Sequence, residues 1–77
     1  MGNLMDAREG DRVVFKRQDG LYDVENVVVS GQLQTVDRPP IKTLKEAYDI
    51  ALGHSVSGAR IWTRSYDVPN VIQPYRM

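Results

Sequence analysis

Apolar and polar side chains alternate through the first half of this chain in a way that predicts strands. Arg12-Val13-Val14-Phe15-Lys16-Arg17 is rich in β-branched and aromatic residues and has turn formers on both sides, which predicts a first strand. Gln18-Asp19-Gly20 then predicts a hairpin, because Asp and Gly tolerate positive φ. Leu21 to Val29 suits a second strand, with a bulge or interruption at Glu25-Asn26 and a buried or interior run at Val27-Val28-Val29, where an exposed edge would instead invite strand addition. Ser30-Gly31 supplies another turn, and Gln32-Leu33-Gln34-Thr35-Val36 alternates as a half-exposed third strand. Asp37-Arg38-Pro39-Pro40 ends this meander, since consecutive prolines remove backbone donors and disfavour helical geometry before them.

The period then changes. Thr43-Leu44-Lys45-Glu46 reads as a capping box, with the Thr43 hydroxyl set to accept from the third helical amide. Leu44, Ala47, Tyr48, Ala51 and Leu52 fall on one helical face, and Gly53 is placed to cap the C-terminus. A helix of barely three turns does not persist alone in water, so this stripe is expected to pack on the sheet. Ala59 to Tyr66 alternates again as a last main strand. One of its faces, Ala59, Ile61, Thr63 and Ser65, is small enough to lie beneath the helix. The other carries Arg60, Trp62, Arg64 and Tyr66.

These elements define an α+β domain with an antiparallel sheet of about four strands, ordered β-β-β-α-β, and one helix on one face. Residues 1–10 lack periodicity and read as a loose N-terminal arm. Residues 68–77 hold Pro69 and Pro74 around Asn70-Val71-Ile72-Gln73, and read as a tail or an edge strand.

Length and composition narrow the picture. Seventy-seven residues fit a single domain. A chain this short buries only about 60% of its unfolded surface, so self-association or partner binding is an expectation from the start. Cysteine is absent, which removes disulfides, thiolate metal sites and cysteine nucleophiles, and fits a cytoplasmic location. No apolar run has the length of a membrane helix, and Met1 to Asp6 lacks the features of a signal peptide, so the mature chain is expected to start here. The net charge is zero, but unevenly spread. Residues 1–37 carry four basic and seven acidic side chains, and residues 38–77 six basic and three acidic. Complementary halves of this kind attract within one fold or between two copies.

Gly20-Leu21-Tyr22-Asp23-Val24 and Thr43-Leu44-Lys45-Glu46-Ala47, set within the layout above, resemble a family of short bacterial β-β-β-α-β domains of unknown function. The first segment is similar to that family's Gly-aromatic-x-Val strand, with the aromatic displaced by one residue. The second is similar to its Thr-x-x-Glu-Ala helix start. The family's usual Gly-containing turn after the last strand is absent at Arg64-Ser65-Tyr66-Asp67. The resemblance implies an architecture and no activity.

The chain supplies few parts for catalysis. His54 is the only histidine, and its simplest role is a residue just past a helix C-terminus. Gly53-His54-Ser55-Val56-Ser57 fails the nucleophile-elbow pattern at its last position and follows a helix rather than a strand. Asp19 with Asp23, or Asp37 with Asp67, are candidate carboxylate pairs, although aspartates at turns usually bind local amides. No phosphate loop, dinucleotide fingerprint or calcium loop is spelled, so neither an enzyme nor a cofactor or metal is expected.

The most informative candidate is the face of Arg60, Trp62, Arg64 and Tyr66. One helix covers one face of a sheet, which leaves this side to water or a partner. Trp, Tyr and Arg are enriched at protein-binding hot spots, so a protein partner or a second copy of the chain, held through this open face or through a sheet edge, is the leading expectation. Stacking of single-stranded nucleic acid on the aromatics, with Arg12 and Lys16 joining the basic surface, is the alternative. Arginine stems that simply shield an exposed tryptophan are the third possibility. Tyr22 is placed to extend this surface, Tyr48 to sit in the helix seam, and Tyr75 to lie in the tail.

Overall fold

A computed structural model describes residues 2–29, 32–36, 39–53 and 60–74. The described strands are β1 (Gly2–Asn3), β2 (Arg12–Lys16), β3 (Tyr22–Val29), β4 (Gln32–Thr35), β5 (Ile61–Ser65) and β6 (Val68–Pro74). One helix, α1 (Leu44–Gly53), separates β4 from β5. The strands form one sheet in the order β1-β6-β5-β2-β3-β4.

From Arg12 to Ser65 the order is β-β-β-α-β, as the alternation predicts, but the sheet is mixed rather than antiparallel. β2 and β5 run parallel, with Val13 beside Trp62 and Phe15 beside Arg64. Passage through α1 returns the chain to the end of the sheet where β2 begins, and a strand entering there must run the same way. Residues 68–74 are a strand, held between β5 and the two-residue β1.

The β2–β3 hairpin shows how local chemistry sets register. The Gly20 amide donates to the Arg17 carbonyl at 3.2 Å, the Arg17 amide to the Leu21 carbonyl at 2.8 Å, and Gly20 alone of the turn takes a left-handed φ of 86°. The turn therefore needs glycine for its backbone and not for space. The bulge expected at Glu25-Asn26 lies further along: Val27 faces Leu33 and Val29 faces Gln32, which leaves Val28 as the extra residue. Of the three valines only Val27 is buried; Val28 and Val29 are exposed at the end of β3. Beyond β4, Ile41 exchanges both backbone hydrogen bonds with Tyr22 at 2.8 Å and prolongs the pairing along the same side of β3.

At α1 the Thr43 hydroxyl accepts from the Glu46 amide at 3.2 Å, which is the expected cap. The buried seam differs from the expected stripe. Ala47 and Ala51 are fully buried, Tyr48 and Ile50 half-buried, and Leu44 and Leu52 exposed. Two alanines one turn apart let the helix approach closely over β2 and β3, and that approach rotates Leu52 away from the sheet. Gly53 is the last helical residue and is not among the described glycines with positive φ, so it makes no left-handed cap.

Two small cores result, one on each face of the sheet. Beneath the helix lie Val14, Val24, Ile41, Ala47 and Ala51, with Tyr22, Val36, Ile50 and Ile61 against them. On the opposite face lie Ala7, Val13, Val27, Trp62 and Ile72, with Leu4 and Leu33 against them. The second core exists because the N-terminal segment, expected to be loose, folds over it. Gly2 and Asn3 pair with Ile72 and Val71. A turn of 3-10 helix at Leu4–Asp6 follows, closed by a capping box: the Asn3 side chain accepts from the Met5 amide at 3.0 Å and the Asp6 carboxylate from the Asn3 amide at 2.9 Å.

Candidate functional site

The face of Arg60, Trp62, Arg64 and Tyr66 is built on β5, and alternation does place the first three on one side of it. That side is closed. Trp62 is 7% exposed, and its indole nitrogen donates to Asp11 Oδ2 at 2.9 Å. Asp11, 4% exposed, also accepts from the Arg8 amide at 3.0 Å and the Arg60 amide at 3.1 Å, and pairs with the Arg60 guanidinium at 3.3 Å. Burial pushes the Asp11 carboxyl up, but hydrogen bonds from the Arg8 amide, the Trp62 indole and the Arg60 amide, with the Arg60 charge, outweigh it and hold the group below the ordinary carboxylate range. Arg60 lies over the Trp62 ring at 4.6 Å and donates to the Asp6 carbonyl at 3.1 Å.

Arg64 is equally committed. It binds Glu25 through two parallel hydrogen bonds of 2.7 Å, donates to the Pro69 carbonyl at 3.2 Å, and stacks on Phe15 at 4.2 Å. Both ion pairs join an acid of the first half to an arginine of the second, so the complementary halves attract within one fold. Tyr66 is exposed in the turn after β5.

Arg12 and Lys16 do not join this surface. The parallel register sets Arg12 beside Ile61 and Lys16 beside Ser65, which places them on the helix side, while Val13 and Phe15 accompany Trp62 and Arg64. Tyr22 also lies on the helix side, against the core beneath α1. Of the candidate carboxylate pairs, Asp19 and Asp23 meet only through Arg17, at 3.1 and 3.7 Å, and Asp19 accepts from the Leu21 amide at 3.0 Å. His54, Ser55 to Ser57, Asp37 and Tyr75 fall outside the described residues. Among the described residues no group of three or more potential ligands is placed to hold a metal ion, and no helix is long and apolar enough to cross a membrane.

The open concavity lies elsewhere. Because α1 packs over β2 and β3 and meets β5 only at its margin, no element among the described residues covers the helix-side surface of β5 and β6. A groove of about 300 Å³ runs there, beside the N-terminus of α1. Leu44, Val68 and Val71 supply its apolar wall, Val14 and Tyr22 its floor toward the helix, and Lys16, Thr63, Ser65 and Gln73 its polar atoms. At its rim the Ser65 hydroxyl hydrogen-bonds Asp67, and that contact, with local backbone amides and the Lys16 charge, holds the Asp67 carboxyl below its ordinary range. No single segment of sequence announces this groove, whose residues come from β2, β3, α1, β5 and β6. The one local signal was the alternating Thr63, Ser65 face, read as lying under the helix.

A small mixed-sheet domain with a partly uncovered sheet face is the class that fold and groove define. Comparisons with family models, curated proteins and solved structures find no match to this chain.

Proposed function

We propose that this chain is a non-enzymatic interaction module, working in the cytoplasm, which takes an apolar segment of a partner protein into the groove between α1 and β6. The observation that carries this reading is the exposure of Leu44 and Val68 on either side of a concave, uncovered strip of sheet. Apolar side chains around a few polar groups suit capture of a side chain or short segment with its orientation fixed by hydrogen bonds. The reading through Arg60, Trp62 and Arg64 loses its support, because a base or a partner side chain needs an open ring and unpaired guanidinium groups. Single-strand stacking on that face finds neither.

Leu44→Lys and Val68→Lys test the groove, since both side chains are exposed and their replacement leaves the cores intact. Captured proteins are compared between wild type and each variant at matched concentration. The expected result is loss of the same captured species with both variants and retention with Leu52→Lys, a control at the opposite, C-terminal end of the helix and outside the groove. Equal capture by all four proteins overturns the proposal.

A further inference from the structure

The two edges of the sheet are treated differently. On one side the outer edge of β6 is covered by β1 at Val71 and Ile72 and carries Pro69 and Pro74, which cannot donate to an incoming strand. On the other side β4, among the described residues, pairs only with β3, and its sequence, Gln32-Leu33-Gln34-Thr35, holds no charge and no proline. The Val36 amide points inward, donating to the Val24 carbonyl at 2.9 Å. Alternation then turns the N–H and C=O of Leu33 and Thr35 outward.

We propose that β4 pairs with β4 of a second copy, antiparallel about a two-fold axis at Gln34, and joins two sheets into one. This register puts Leu33 opposite Thr35 of the second copy and Thr35 opposite its Leu33, so every outward backbone group of these residues finds a partner. Gln34 meets Gln34 across the axis, where an amide both donates and accepts and so complements itself. The occupant is a second copy because the edge is self-complementary and uncharged, and because a zero net charge opposes no association of like molecules. The interface stands apart from the groove, on the far side of the sheet from β6.

Sedimentation equilibrium from micromolar to millimolar concentration tests it, with far-UV circular dichroism as a check of folding. The wild type is expected to reach twice the chain mass. Thr35→Pro removes an outward donor without touching the ladder to β3, and is expected to weaken association roughly tenfold or more. Gln34→Lys, at an exposed side chain, sets two ammonium groups against each other at the axis and is expected to weaken association while leaving the fold intact. A wild type that stays monomeric at millimolar concentration overturns the proposal. So does unchanged association of Gln34→Lys, which serves if Thr35→Pro fails to fold. Val68→Lys, in the groove, is expected to associate as wild type does, so that loss of groove binding and loss of pairing are told apart.

Discussion

Asp11 is the side chain on which the closed face depends. A carboxylate almost removed from water is tolerable only if its lone pairs are filled, and here an indole, two backbone amides and a guanidinium fill them. Asp11→Asn keeps the shape but turns the donor NH2 of a carboxamide toward other donors, and is expected to cost roughly 2–4 kcal/mol at neutral pH, read by urea unfolding. The pH dependence has a definite sign. Since folding lowers the Asp11 pKa, its contribution is fully present above the unfolded carboxylate range and is lost as pH falls through the lower folded value. The variant is therefore expected to lose less stability than wild type between neutral pH and the acid end. An equally steep acid decline in both proteins would refute that role. Trp62 illustrates what a single residue reveals in sequence. Its position opposite the small face of β5 follows from alternation alone, but its burial depends on Asp11, 51 residues earlier, which no local pattern connects to it.

At the scale of elements, strands were predictable because their period and turns are local. The helix was predictable too, in its start and its length. Its rotation was not, because whether Leu52 or Ile50 faces inward is decided by how closely two alanines let the backbone approach. That seam makes a prediction. Ala51→Leu inserts bulk where none fits and is expected to cost about 1–3 kcal/mol, while Leu52→Ser, at a side chain 54% exposed, is expected to change stability by no more than about 0.5 kcal/mol. Thermal or urea unfolding distinguishes the two. If Leu52→Ser is the more damaging, the helix sits as the simple stripe Leu44, Ala47, Tyr48, Ala51 and Leu52 requires. The N-terminal segment was missed for the opposite reason. It is too short for periodicity, although Asn3-Leu4-Met5-Asp6 does spell the cap that the structure shows. The faces of β2 were misassigned because alternation tells which residues share a side and not which side the neighbour presents. That depends on a register between strands joined through α1.

For the whole molecule the consequence is a sheet with a core on each side and no rigid division between them. Val13 and Val14 are neighbours on β2 and belong to opposite cores. Cooperative loss of both is therefore expected: Trp62 fluorescence, which reads the arm side, and far-UV circular dichroism, which reads helix and strands, should give one coincident urea transition. Separate midpoints would show that the arm-side core opens alone.

The parallel pairing of β2 with β5 also sets a timetable. A ribosome releases β2, β3 and β4 before the chain that supplies β5, so the hairpins can form early while Trp62, the neighbour of Val13, and Arg60, the partner of Asp11, are still unmade. Until Ile61–Ser65 emerges, one side of β2 has no neighbour, and the N-terminal segment has neither Trp62 nor β6 to rest on. The N-terminal segment, made before β5 and β6, is thus among the last parts of this domain to find its place, and newborn chains pass through a stage in which an inner strand is temporarily an outer one.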